Sequence, residues 1–90
     1  MLRSSYTGQF KEDRKRAGKG GRDVGHLDAV LARLVAEATL EPRCRVHLLR
    51  GTYAGHMERH IAPDLLLIWY YAPGDEAVFV RTGSHADLFG

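Results

Sequence analysis

The sequence predicts an α+β domain over residues 1–90, with an antiparallel sheet of about four strands, two N-terminal helices packed on one face of it, and a short C-terminal helix. Two observations predict this fold class. Helical periodicity is confined to the first half of the chain, and short apolar segments separated by turn residues fill the second half. Strands that follow one another through tight turns favour antiparallel pairing, and helices then cover one face of the sheet.

The chain begins with a predicted strand at residues 4–7 and a helix at residues 8–17. Within this helix Phe10, Arg14 and Ala17 share one face, so the aliphatic stem of the arginine is expected to fill the space between the apolar side chains. Glycines at positions 18, 20 and 21 end the helix, because glycine has a low helix propensity and favours turns.

The second helix has the clearest amphipathic pattern in the sequence. It is predicted over residues 24–38, with Asp23 as its N-cap, and Pro42 prevents its continuation. Its apolar residues recur at spacings of three and four: Val24, Leu27, Leu31, Leu34 and Ala38. Such a stripe is typical of a helix that packs one face on a core.

Strands make up most of the second half. They are predicted at residues 46–49, 56–61, 65–71 and 77–81, with a turn at residues 72–75. The run at 65–71 is continuously apolar, as a strand buried on both faces should be, so its aromatic residues are expected in the core: Trp69, Tyr70 and Tyr71. Ser84 can cap a final short helix through Leu88.

Basic side chains are concentrated near the N-terminus. Residues 1–22 contain seven basic and two acidic side chains, whereas residues 23–90 contain six basic and nine acidic ones. A basic segment can attract a polyanion even when the net charge of the chain is only +2, although a solvated helix face has the same composition. Charge alone does not establish nucleic-acid binding; if the polyanion is RNA, the residues that would contact its backbone are Lys11, Arg14, Lys15, Arg16 and Lys19.

Nothing in the sequence predicts export or a membrane anchor. The longest apolar run, residues 65–72, is far shorter than the roughly twenty residues of a membrane-spanning helix. The first ten residues lack the apolar core of a secretory signal. Cys44 is the only cysteine, which excludes an intramolecular disulfide. We therefore expect a cytoplasmic protein.

Histidines, an arginine and a carboxylate in the second half suggest acid–base chemistry on a phosphodiester. Histidine exchanges a proton near neutrality because its ordinary pKa is about 6.5, and the planar guanidinium of arginine fits a phosphate. A 2′-hydroxyl attack on RNA needs a base, a cation beside the phosphate oxygens and an acid for the leaving 5′-oxygen. This route needs neither a metal nor a cofactor. The candidates are His60, Asp64, Arg81 and His85.

A metal site is the competing interpretation of the same segment. His56, His60 and Asp64 recur every four residues, which would align three ligands on a helix. Pro63 argues against a helix there, and in a strand residues four apart lie about 13 Å from each other, too far to share one ion. The sequence therefore favours a site without metal.

Several segments resemble the YafQ-type toxins of the RelE/ParE superfamily. The most specific is residues 81–90, RTGSHADLFG, and residues 59–68, RHIAPDLLLI, are similar to the segment ahead of it. Residues 46–51, VHLLRG, match the family's histidine–leucine–x–glycine element loosely. The opening segment at residues 6–11, YTGQFK, and the two predicted helices also fit.

The resemblance implies a RelE-like microbial ribonuclease fold and a toxin of a bacterial type II toxin–antitoxin system. Such a toxin is an endoribonuclease that cleaves messenger RNA in the ribosomal A site. A cognate antitoxin neutralises it, and operator DNA is bound only through the complex with that antitoxin. Two of the implied positions bind substrate: His47 would orient it and Phe89 would support the nucleotide.

The other implied positions are catalytic. His85 would be the general acid, either His60 or Asp64 the general base, and Arg81 the group that stabilises charge on the phosphate. One position departs from the family, whose members often carry a tryptophan directly after the aspartate. Here that residue is Leu65, so any stacking by the tryptophan ring is lost or moved.

Two other functions stay open at the level of sequence. A non-catalytic, ParE-like relative of the same fold would bind a protein target such as DNA gyrase. A toxin that has lost its activity would be retained for operator binding with its antitoxin. A binder has no need of Arg81 and His85 together, so this pair favours the enzyme.

Overall fold

The computed structural model describes residues 2–36, 47–48 and 53–90. The elements along the chain are β1 (Arg3–Tyr6), α1 (Gly8–Lys19), α2 (Val24–Val35), β2 (His47–Leu48), β3 (Met57–Ala62), β4 (Leu65–Ala72), β5 (Glu76–Gly83) and α3 (His85–Phe89). The predicted α+β fold class is confirmed. Within the described ranges, no helix is long and apolar enough to cross a bilayer.

Helix α1 is joined to the sheet at its first turn. The Thr7 hydroxyl accepts the Phe10 N–H (3.0 Å) and donates to the Val80 carbonyl (2.8 Å), so the N-cap also ties α1 to β5. The expectation that Arg14 fills the buried face is wrong. A residue three or four positions after Phe10 lies on the same face of the helix, so position 13 and position 14 both fit the pattern. In the structure the buried face includes position 13, and Arg14 lies beside it. The buried residues of α1 are Phe10, Asp13 and Ala17.

Helix α2 adds a fully apolar stripe beside α1. Asp23 caps it as predicted, by accepting the His26 N–H at 2.9 Å. The helix ends at Val35 with Ala36 as its C-cap, and the predicted last residue, Ala38, lies outside the described residues. Its buried side chains are Leu27, Val30, Leu31 and Leu34.

The strands form one mixed sheet in the order β1-β5-β4-β3-β2. The four strands of the second half pair antiparallel, as predicted. Strand β1 instead pairs parallel to β5, from Arg3 opposite Glu76 to Tyr6 opposite Phe79. The sequence does not predict the direction of this fifth strand, because no tight turn connects β1 to β5.

Strand β4 contributes to two separate cores. Its odd-numbered residues face α1 and α2, together with Phe79 of β5: Leu65, Leu67 and Trp69. On the opposite face, Leu66 and Ile68 pack against Leu88 of α3, and we call this side of the sheet the α3 face. The prediction of a strand buried on both faces is confirmed for residues 65–69.

The aromatic end of β4 only partly joins the core. Trp69 is fully buried and Tyr70 is half-buried, but Tyr71 is 44% exposed, so the expectation for Tyr71 is wrong. Tyr71 pairs with Ala77 directly beside the β4–β5 turn, and a residue at this rim has solvent on one side.

Candidate active site

Four predicted catalytic residues lie at one end of the sheet. Strands β3 and β5 both end where β4 begins, since both run antiparallel to β4. His60 pairs with Leu66, which pairs with Gly83 on its other side. Neighbouring strands are about 4.8 Å apart, so the backbones of His60 and Gly83 lie about 10 Å apart. Asp64 is in the β3–β4 turn and His85 begins α3, directly beyond β5.

His60 faces the α3 side of the sheet. Directly opposite residues of an antiparallel pair share a face, and the partner of His60, Leu66, packs against α3. The imidazole is exposed and, within the described residues, makes no hydrogen bond, ion pair or ring contact. It is thus placed to meet a ligand from solvent.

Helix α3 presents His85 and Phe89 side by side. A reciprocal capping box holds its start: the Ser84 hydroxyl accepts the Asp87 N–H and the Asp87 carboxylate accepts the Ser84 N–H, both at 3.0 Å. The ring centroids of His85 and Phe89 are 4.9 Å apart, and the Phe89 ring also meets Tyr53 edge-on at a centroid distance of 5.9 Å. Phe89 remains 39% exposed. Phe89 thus lies beside His85 with part of its ring exposed, and its role in supporting a nucleotide stays a prediction.

Arg81 is held from two sides. Its Nε and Nη2 donate to the two carboxylate oxygens of Asp13 at 2.6 and 3.2 Å, and its Nη1 donates to the Tyr53 hydroxyl at 3.3 Å. The hydrogen bonds to Asp13 raise the pKa of Arg81, and they outweigh burial, which lowers it. The side chain is only 20% exposed. Arg81 is therefore a fixed cation at the end of β5.

Asp64 is ion-paired rather than open. Its Oδ2 lies 2.6 Å from Nη1 of Arg22, in the segment between α1 and α2, and the same nitrogen donates to the Asp64 carbonyl. The Asp64 side chain is 73% exposed, so it can still reach a ligand in solvent. The pairing brings the β3–β4 turn to the α1–α2 connection.

A cleft of about 230 Å³ lies beside these residues, between α1 and the start of α3. Arg16 and Arg22 line one side of it and Gly83 and Asp87 the other. The pKa of Asp87 is lowered chiefly by its hydrogen bonds with Ser84, with smaller contributions from the two arginines. The cleft thus has two cations near the α3 N-terminus.

The remaining substrate-binding prediction, His47, is placed only by its backbone. His47 begins β2 and pairs with Glu58 of β3, two residues before His60. Its side chain lies outside the described structure, as does Cys44. The predicted orienting role of His47 stays a prediction.

The predicted RNA-contacting cations all lie on α1, but they differ in their surroundings. Arg14 makes a two-bonded ion pair with Asp28 of α2 (3.0 and 2.5 Å), and Arg16 pairs with Asp13 (2.6 Å). The lysines of this helix are exposed, and within the described residues they have no ion pair: Lys11, Lys15 and Lys19.

His56, one of the three candidate ligands in the metal interpretation, packs against an aromatic ring. His56 contacts Tyr70 edge-on at 5.0 Å, and its Nδ1 lies 3.1 Å from the Ala54 carbonyl. Among the described residues, no three or more His, Cys, Asp or Glu side chains are grouped so that they could hold a metal ion.

Sequence reasoning misses three residues of this site: Asp13, Arg22 and Tyr53. The helical spacing around Phe10 contains the signal for Asp13, since position 13 fits the buried stripe as well as position 14. For Arg22 and Tyr53 no local pattern provides a signal, because each joins the site only through a distant partner.

Comparison with known proteins identifies relatives along the whole chain. The family model described as the bacterial toxin of type II toxin–antitoxin system, YafQ, matches residues 2–90. The mRNA interferase toxin YafQ of Escherichia coli strain K12 is 36% identical over 87 residues, covering 94% of this chain and 92% of the relative. Curated relatives are thus named as mRNA interferases, the endoribonuclease class that the sequence predicts.

Solved structures give the same result. The crystal structure of YafQ from E. coli strain BL21(DE3) has a TM-score of 0.90 and 31% identity, with 100% of both chains covered. YafQ in the E. coli DinJ–YafQ toxin–antitoxin complex has a TM-score of 0.87 and 33% identity, again with 100% of both chains covered. Fold and sequence agree, and the chain belongs to the YafQ family of toxins of bacterial type II toxin–antitoxin systems.

Proposed function

We propose that this chain is an mRNA interferase that cleaves messenger RNA in the A site of translating ribosomes by metal-independent acid–base catalysis. Its membership in the YafQ family and its curated mRNA interferase relatives support the enzyme class. One observation of the structure carries the mechanism: a guanidinium fixed by a buried carboxylate, at the sheet end that also holds two histidines.

The proposed reaction is an attack of the RNA 2′-hydroxyl on the adjacent phosphorus. A general base removes the hydroxyl proton while the 2′-oxygen bonds to phosphorus, and the bond from phosphorus to the 5′-oxygen breaks. His85 donates a proton to that leaving oxygen. The products are a 2′,3′-cyclic phosphate and a free 5′-hydroxyl, and no other reactant is consumed.

We assign the general base to His60. The Oδ2 oxygen of Asp64 is already paired with the Arg22 guanidinium at 2.6 Å, so this cation competes with a substrate hydroxyl for the carboxylate. The His60 imidazole is exposed and, in the described part of the chain, has no partner that would compete for its proton-accepting nitrogen. Asp64 then remains near the reacting groups as a negative charge in addition to that of the phosphate.

Arg81 stabilises the phosphate as charge builds up on its oxygens. A cation that is already oriented stabilises a developing charge without the cost of reorganising during the reaction. Phe89 supports the nucleotide next to His85, because a partly exposed ring offers its face to a base. The exposed lysines of α1 contact RNA phosphates and position the domain without reading sequence.

The same proposal includes a partner and a compartment. E. coli YafQ forms a complex with DinJ, and we infer that a cognate antitoxin neutralises this chain in the same way. Ribosome-bound substrate places the activity in the cytoplasm. Contact with operator DNA occurs only through the antitoxin complex.

The test compares His85→Ala with His26→Ala, an equivalent change at an exposed helical residue on α2. Each variant is added to translating ribosomes that carry a defined message, and fragment ends are mapped and analysed for cyclic phosphate. We expect wild type and His26→Ala to cleave equally and His85→Ala to be at least about 100-fold slower, with an unchanged melting temperature.

Two outcomes would contradict the proposal. Undiminished cleavage by folded His85→Ala would remove the assigned acid. Growth arrest by the wild type without any RNA fragments would exclude the nuclease and favour the alternative, a ParE-like toxin that binds a protein target such as DNA gyrase.

A further inference from the structure

We propose that Asp13 is a positioning residue for catalysis, which acts by fixing the guanidinium of Arg81 in the orientation that receives the phosphate. The inference rests on the proposed ribonuclease function and adds to it a residue that never touches the substrate. Asp13 lies on α1, 68 positions from Arg81 in sequence, and its side chain is completely buried.

The carboxylate of Asp13 is surrounded by donors. Besides the two bonds from Arg81, Oδ2 accepts the backbone N–H of Thr82 at 3.2 Å, and Oδ1 accepts from Gln9 at 3.0 Å and Arg16 at 2.6 Å. Both oxygens therefore have fixed directions. A buried carboxylate with every oxygen bonded cannot rotate without leaving a donor unsatisfied, which is costly in a low-dielectric interior.

This arrangement leaves Arg81 with a defined set of free donors. A guanidinium has five N–H groups. Asp13 receives one from Nε and one from Nη2, and Tyr53 receives one from Nη1, so within the part of the chain that the structure describes one N–H on each terminal nitrogen remains. Donors on the two terminal nitrogens of a guanidinium are the ones that bind a phosphate in a bidentate contact.

A role in stability alone does not explain this cluster well. Replacing a buried ion pair by apolar side chains of similar volume is often neutral or stabilising, so such a pair is weak evidence for a stabilising function. Asp13 lies between Phe10 and Ala17 on an otherwise apolar face, where an apolar residue would complete the stripe. What the carboxylate supplies, and an apolar residue does not, is a fixed orientation for the cation.

The test is a double-mutant cycle on cleavage of ribosome-bound message, with Asp13→Asn, Arg81→Ala and the double variant. Asparagine keeps the volume but loses the charge and one acceptor. We expect Asp13→Asn to lower kcat about 10- to 100-fold with KM changed less than about twofold, because a displaced catalytic group slows the chemical step. In the Arg81→Ala background the same substitution should lower kcat by less than about twofold.

Gln9→Ala is the matched control. It removes one hydrogen bond from the same carboxylate but leaves both bonds to Arg81 and a further donor on each oxygen, Arg16 on Oδ1 and Thr82 on Oδ2, so kcat should stay within about twofold of wild type. Melting temperatures of all variants separate folding from chemistry. If Asp13→Asn does not fold, Asp13→Glu takes its place in the cycle, because it retains the charge and displaces the carboxylate by one methylene.

The outcomes distinguish this inference from the proposed function. A wild-type chain that cleaves no RNA overturns both. If the wild type cleaves, an Asp13→Asn effect of equal size with and without the Arg81→Ala substitution overturns the positioning role alone. Unchanged kcat in folded Asp13→Asn does the same.

Discussion

The two faces of the sheet are packed in different ways. Toward α1 and α2, buried aliphatic and aromatic side chains from both helices and three strands form one continuous cluster around Trp69 and Phe79. On the α3 face the buried cluster consists, among the described residues, of Leu66, Ile68 and Leu88, with partly buried neighbours. Apolar area removed from water stabilises a fold by roughly 25 cal/mol per Å², so the helix side supplies most of the stability.

Under the proposed function, this difference separates the residues that stabilise the fold from those that carry the chemistry. The α3 face has fewer buried apolar side chains, and around them lie exposed or half-exposed groups that can meet a ligand, His60, His85 and Phe89 among them. Asp13 is the exception, since it belongs to the helix side by burial and to the site by its bonds to Arg81. Four predictions test this separation, in order of decreasing effect.

The strongest test compares two phenylalanines. Phe79→Ala should destabilise the protein by about 3–5 kcal/mol, because it opens a cavity in the helix-side core. Phe89→Ala should cost less than about 1 kcal/mol, because its ring is partly exposed and lies outside the helix-side core, and it should lower RNA cleavage instead. Denaturant unfolding and cleavage assays measure both. Equal losses of stability would remove the distinction between the two faces.

A second test concerns the two candidate bases. His60→Ala should slow cleavage about 100-fold, whereas Asp64→Asn should slow it by less than about tenfold, because Asp64 is paired with Arg22. Both residues are exposed, so neither variant should change the melting temperature appreciably. A larger effect of Asp64→Asn would transfer the role of base to the carboxylate. The pH profile of cleavage, measured for both variants, provides an independent check.

Acid should loosen α3 before the helix side. The pKa of Asp87 is lowered in the fold by its hydrogen bonds with Ser84. Its contribution is therefore fully present above the unfolded pKa, about 3.9, and is lost as the pH falls through the lower folded value. NMR should show the amides of His85 and Phe89 changing below about pH 4 while that of Leu31 does not. In Asp87→Asn this transition should be absent, and its persistence would assign it to another group.

The weakest effects are expected on the outer surface of α1. Arg14→Ala removes a surface ion pair with Asp28 and should change stability by less than about 0.5 kcal/mol. Lys15→Ala should not alter stability, but it should reduce the salt dependence of ribosome binding by roughly one phosphate contact. Arg14 should contribute less to binding, because Asp28 already neutralises it. A larger contribution of Arg14 than of Lys15 to ribosome binding would show that the Arg14–Asp28 ion pair opens on the ribosome.

The degree to which the fold is predictable varies with the range of the interactions. Asp23 and Ser84 are recognisable as caps, and the end of β3 at Pro63 is expected, because each depends on neighbours within a few residues. The buried face of α1 is predicted one residue too far along the chain, at Arg14 instead of Asp13, since either position fits the helical periodicity. The antiparallel order of the strands predicts that the candidate residues lie at one end of the sheet. It does not predict that Arg81 bonds to Asp13 or that Asp64 pairs with Arg22.

Local properties of the chain were enough to establish the elements, the fold class and the family, because hydrophobic period, capping residues and the run RTGSHADLFG can all be read over short stretches. The folded molecule was needed to show that β1 joins β5 in parallel, that Asp13 holds Arg81 and that Arg22 pairs with Asp64. The paired residues are 68 and 42 positions apart. No local pattern encodes such pairs, since they form only when the packing of the helices on the sheet brings the two residues together.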